Sequence, residues 1–175
     1  MEMVTSQAVT LWMLFAAVIG IITYTLFRQG KIKASTAFFL PVLCFFLSFV
    51  LSITIIERVS RKEIQYNLTL FWTIKAILAG RKYLIWEIFW NIILFLPIGF
   101  MTAALLRKHP GVSILIGLLL SACIEIVQLL TRRGMFELDD IVYNSVGALI
   151  GFLFYLCVTK KDWKPKRQKK EGDYE

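Results

Sequence analysis

The chain has 175 residues, 58% of them hydrophobic and 18% charged, with a mean hydropathy of +0.68 and a formal net charge of +8. A water-soluble domain carries more charge and fewer apolar residues, so a soluble globular fold is excluded and an integral membrane protein remains. The three cysteines, Cys44, Cys123 and Cys157, have no paired spacing, which argues against a disulfide framework or a zinc site.

Apolar runs near the length that crosses a bilayer recur at about residues 8–27, 35–56, 86–106, 112–130 and 140–159. They predict an all-α integral membrane protein, a bundle of about five transmembrane helices. The first run has only Glu2 ahead of it and no basic n-region, and it exceeds a cleavable signal core. Arg28, Lys31 and Lys33 follow it, which predicts a retained helix with its N-terminus outside and its far end in the cytoplasm. Cys44, Cys123 and Cys157 all fall inside spans and read as packing residues.

Between the second and third spans, Glu57 to Ile85 mixes Leu68, Phe71, Trp72 and Ile77 with Lys75, Arg81 and Lys82. That mixture predicts an interfacial segment, and Lys75 at its middle argues against a full crossing. Asn67-Leu68-Thr69 fits the glycosylation pattern, a short motif that also arises by chance. Trp72, Trp86 and Trp90 suit anchoring at the interface.

The third span carries Glu87, Asn91, Phe95 and Gly99 at four-residue steps, one face of a helix. Pro97 lies within it, removes a backbone hydrogen bond and predicts a kink that splays the helix. His109, in a short basic turn before Pro110, reads as a solvated loop residue. The fourth span steps Ser113, Gly117, Ser121, Glu125 by fours, with Gln128 on the same side. Arg132, Arg133 and Gly134 then make a basic turn. The fifth opens on Glu137, Asp139 and Asp140, and continues along one face through Asn144, Gly147 and Gly151. Asp139 or Asp140 suits a helix N-cap, and Gly147 to Gly151 is a close-approach step between helices.

The tail from Lys160 holds Lys161, Lys164, Lys166, Arg167, Lys169 and Lys170. Basic residues directly after a span predict a cytoplasmic end held against anionic lipid, a reading preferred over nucleic-acid binding. The chain thus divides into a two-helix membrane region at 1–66, a membrane domain at 67–159 and a basic tail at 160–175.

Ionisable groups at membrane depth are costly and mark either a functional face or a packing network. With five spans, the start of the third, the end of the fourth and the start of the fifth share one side of the membrane. Glu87, Asn91, Glu125, Gln128, Asp139, Asp140 and Asn144 therefore gather in one leaflet, and the basic tail makes it the outer one. Small residues on the same faces predict that they point into the bundle.

Three motifs in that region carry a family resemblance: Asn91-x-x-x-Phe95-x-Pro97-x-Gly99, Glu125-x-x-Gln128, and Arg133-Gly134-x-Phe136-Glu137-x-Asp139-Asp140-x-x-x-Asn144-x-x-Gly147-x-x-x-Gly151. Together with Asn67-Leu68-Thr69-Leu70-Phe71, which has Leu70 where proline is usual, they resemble the VanZ-like family over roughly residues 67 to 155. Glu137 stands where that family commonly has Asp. The resemblance implies a bacterial plasma-membrane protein and a link to teicoplanin, a glycopeptide antibiotic that acts on cell-wall precursor at the outer membrane face. It supplies no catalytic residues.

Three functions fit the polar cluster. The favoured one is a binding module in which Arg132 and Arg133 pair a phosphate or carboxylate while Asn91, Gln128 and Asn144 orient a lipid-linked wall precursor or a lipoglycopeptide. The second is an enzyme on a lipid-linked substrate, with Glu125 and Asp140 as an acid–base pair or several carboxylates around a divalent cation. The third is a structural or partner subunit in which the polar face is helix–helix glue. Pro97, Gly99, Gly147 and Gly151 are assigned structural roles, no cofactor is expected, and membrane lipid is the one general partner. No feature sets an oligomeric state.

Overall fold

The computed structural model describes residues 2–56 and 58–160. The basic cluster from residue 161 onward, read above as a cytoplasmic anchor, lies outside the described residues. Six α-helices follow in order among them: α1 (Glu2–Arg28), α2 (Ala34–Leu51), α3 (Trp72–Leu78), α4 (Leu84–Leu105), α5 (Val112–Thr131) and α6 (Leu138–Lys160). Five are long and apolar enough to cross a membrane, at Thr10–Arg28, Ala34–Ile56, Leu84–Leu105, Val112–Thr131 and Leu138–Thr159. The protein is an all-α, multi-pass membrane protein with spans within a few residues of those expected.

Packing differs sharply among the spans. The α1 span buries almost none of its surface, whereas α4 is the most enclosed. Lipid is as apolar as leucine, so close packing and polar contacts hold such helices together. Between α4 and α6 that packing is backbone against backbone. A Cβ at Gly99, Gly147 or Gly151 would overlap the carbonyl oxygens of Ala148, Ile92 and Leu96 respectively. The Gly151 contact falls on the turn that contains Pro97, so on this face α4 is packed directly against α6. Val50 of α2, Phe95 and Ile98 of α4 and Ile124 of α5 form the apolar core beside it.

Three hydroxyls of the second span are satisfied within their own helix. Ser48, Ser52 and Thr54 donate to the carbonyls of Cys44, Ser48 and Val50 at 2.8, 3.0 and 2.7 Å. The last two flank or enter a π-helical turn, Ser52–Ile56, that ends the second span. Wider turns of this kind leave backbone carbonyls needing other partners, which lipid cannot supply.

The segment between the second and third spans is more ordered than an interfacial mixture suggests. Strand β1 (Tyr66–Asn67) pairs in parallel with β2 (Phe136–Glu137), Tyr66 opposite Phe136 and Asn67 opposite Glu137. Arg61 N–H donates to the Arg132 carbonyl at 2.8 Å and Phe136 N–H to the Gln65 carbonyl at 3.0 Å. The loop is thereby stitched to the α5–α6 turn.

Candidate acidic site at one end of the bundle

The seven-residue α3 is too short to hold itself and its N-cap residue, Phe71, offers no side-chain acceptor. Asp139 supplies one from the start of α6. Its carboxylate accepts the amides of Phe71 and Thr73, the second at 2.9 Å, and the residue is fully buried. Asp139 is a cap in trans, for α3 and not for its own helix. Neighbouring Asn67 closes the preceding turn by accepting the Thr69 amide at 3.0 Å. The Asn67–Phe71 segment and the acidic opening of α6, far apart in sequence, are therefore one local structure.

Three further polar residues are also committed to internal bonds. Glu125 Oε2 accepts the Glu137 amide at 2.9 Å. Gln128 Nε2 donates to the Thr54 carbonyl at 2.8 Å, within the π-helical turn. Asn144 Nδ2 donates to Ser121 Oγ at 2.8 Å, joining α6 to α5. Each of the three is buried. Two acceptors are left over, Gln128 Oε1 and Asn144 Oδ1, buried without a partner among the described residues.

Beside this network three carboxylates gather. Glu87 of α4, Glu137 of β2 and Asp140 of α6 each direct one oxygen to a common point, all within 4.8 Å of one another. Glu137 and Asp140 are buried, while Glu87 leaves the group accessible at the surface. Asn91 Nδ2 donates to Asp140 Oδ1 at 2.6 Å, and Trp72 Nε1 donates to Glu137 Oε2 at 2.7 Å. Burial pushes the Glu137 carboxyl up from 4.5 to about 7; the Asp140 charge adds to the rise and the Trp72 bond opposes it. Oxygen ligands at this separation suit a divalent cation of the calcium or magnesium kind.

Arg58 stands in electrostatic range of Glu87, Glu125 and Asp140. Gly134 makes room for it. With φ +145° this residue brings backbone where a Cβ would stand 3.0 Å from Arg58 Nη1 and 3.1 Å from Gln128 Oε1. Arg132 and Arg133 do not join the acids. They are turned to backbone carbonyls of Lys62 and Ile56, at 3.4 and 3.3 Å.

The pattern of the VanZ/LLP1 family matches residues 36–159, well over half of the chain. The chain belongs to the VanZ/LLP1 family. No curated protein and no solved structure matches it. The VanZ/LLP1 match begins within α2, whose Val50 lies in the core against α4 and α5.

In this VanZ/LLP1 protein the acids and amides nominated from sequence separate into two groups. Glu125, Gln128, Asp139 and Asn144 have their hydrogen bonds inside the fold, whereas Glu87, Glu137 and Asp140, with Asn91, form the acidic cluster. Sequence reasoning missed Arg58 and Trp72 as site residues. Arg58 follows the end of the second span, which shares its side of the membrane with Glu87, Glu125 and Asp140; that shared side is the signal that finds it.

Proposed function

We propose that the cluster of Glu87, Glu137 and Asp140 is the recognition site of a cell-envelope binding protein in the bacterial plasma membrane, and that it faces the outer leaflet. The ligand is the polar part of a lipid-linked wall precursor or a glycopeptide-type molecule, and its capture contributes to glycopeptide resistance. The observation that carries this reading is the convergence of three carboxylates on one accessible point, with hydrogen bonds elsewhere absorbing the rest of the polar face. Such a site is rich in acceptors. It selects a ligand that brings donors, an ammonium group or clustered N–H and O–H groups, and amino sugars and peptides carry both.

The acid–base reading is less well supported. Glu125 has one carboxylate oxygen on a backbone amide and is buried behind Glu137. A divalent cation at the same three carboxylates is the second reading, favoured by their 4.8 Å spacing.

The test is a pair of variants, Glu87→Gln and Asp140→Asn, compared with the unaltered chain for membrane abundance, Tm and binding of teicoplanin and a lipid-linked wall precursor. Abundance and Tm stay near normal for Glu87→Gln, and each variant loses about tenfold in affinity, as expected for one charge-assisted hydrogen bond. Teicoplanin susceptibility of a host expressing the variants returns to that of the empty host. Unchanged binding in both variants sinks the site. Saturable stabilisation by calcium or magnesium, lost in Glu87→Gln and without any effect of the organic ligands, replaces the first reading with the second.

A further inference from the structure

We infer that the other end of the bundle holds a binding site for an anionic membrane lipid, with its phosphate in a basic chamber and an acyl chain in an apolar crevice. The chamber, about 710 Å³, is formed by the α1–α2 and α4–α5 connections. Lys31, Lys33, Arg107, Lys108 and His109 line it, and Ser35 and Thr36 add hydroxyl groups. None of the five basic side chains forms an ion pair among the described residues.

Basic loops at the ends of spans follow from topology alone and need no cavity. Two further observations set these apart. The first is the start of the 18-residue α2, which opens on the chamber with Lys33 as N-cap, no capping side chain and no acidic residue in its first turn. Its amides and dipole add to the positive field there, the arrangement that receives phosphate at helix N-termini. The second is a crevice of about 300 Å³ between α2, α4 and α5, lined by Leu43, Leu47, Ile98, Thr102, Ile116 and Leu120. The Thr102 hydroxyl is already bonded to the Ile98 carbonyl at 2.6 Å, so the crevice offers no polar partner.

Leu105 and Leu106 belong to the walls of both spaces. A ligand with a phosphate and an alkyl chain fills both around these two residues. A free phosphate uses only the chamber, and a zwitterionic lipid brings its own cation into a space already rich in them. The site is independent of the acidic cluster at the opposite end.

The experiment uses the full chain purified in a non-ionic detergent, with three probes: dioctanoyl phosphatidic acid, dioctanoyl phosphatidylcholine and sn-glycerol 3-phosphate. Phosphatidic acid raises Tm saturably and is retained in native mass spectra. Phosphatidylcholine binds at least about tenfold more weakly, and glycerol phosphate at equal concentration leaves Tm unchanged. The exposed double variant Lys33→Gln/Arg107→Gln keeps its lipid-free Tm and loses about tenfold in affinity for phosphatidic acid. Equal binding of the two lipids, an equal shift with glycerol phosphate, or undiminished affinity in the double variant overturns the inference.

Discussion

Glu137 ties three parts of the molecule together at one residue. Its amide donates to Glu125 of α5, its carboxylate accepts the indole of Trp72 in α3, and its strand partner is Asn67. Burial first, then the charges of Asp140, Glu87 and Asp139, keep its carboxyl protonated up to about pH 7, against 4.5 for an ordinary glutamate. Between those two values the folded chain holds a proton that the unfolded chain has released. Stability therefore falls as pH rises through that window and levels off above it. In detergent with EDTA, Tm is expected to decline from pH 5 to pH 7, and Glu137→Gln to flatten the decline; parallel profiles count against the assignment. Residues such as this explain the limit of reading a face from spacing alone. Spacing brings Glu125, Asp139 and Asn144 to one end of the bundle, but says nothing of which amide or hydroxyl each will meet. Those partners decide that Asp139 caps a distant helix while Asp140 remains beside Glu87.

Elements follow the same division. Hydropathy marks the five spans because each is a long run whose length is set by the bilayer. The two-residue strands β1 and β2 have no period to detect, and α3 is one that forms against Asp139, so neither is legible before the chain is folded. Small residues at four-residue intervals do identify the face of α6, and their role is testable. Gly147→Ala places a Cβ against the Ile92 carbonyl, where neither helix backbone can give way without moving the other. Unfolding in detergent should show a loss of about 2 kcal/mol, as for other overpacked contacts. Gly111→Ala is the control, since nothing lies within 4 Å of its added Cβ. It should stay within about 0.5 kcal/mol of the unaltered chain. Equal stability of the two variants would mean that α4 and α6 do not meet backbone to backbone.

At the scale of the whole molecule the two ends are chemically opposite. One gathers Glu87, Glu137 and Asp140, with Arg58 in electrostatic range of Glu87 and Asp140; the other lines a chamber with Lys31, Lys33, Arg107 and Lys108. The apolar belt between them exposes Leu11, Ile21, Leu119 and Leu153 among many others, surface suited to lipid. The basic tail that follows the last span in the sequence tips the count of Lys and Arg, so the positive-inside rule predicts the basic chamber inside and the acidic cluster outside. Arg58, Arg61, Lys62, Lys75, Arg81, Lys82, Arg132 and Arg133 also lie in the connections of the acidic end and weaken that contrast; of these, Arg58 stands in electrostatic range of Glu87, Glu125 and Asp140. The orientation can be read with single cysteines in a background where Cys44, Cys123 and Cys157 are replaced by serine. Glu63→Cys lies in the acidic-end loop and His109→Cys in the basic one, both exposed. In intact bacterial cells a membrane-impermeant maleimide should label Glu63→Cys alone, and His109→Cys should react only after the cells are opened. The reverse pattern would turn the molecule over, placing the acidic cluster in the cytoplasmic leaflet and removing its access to an envelope ligand. Labelling of both from outside would mean that the odd number of crossings between those two loops is wrong.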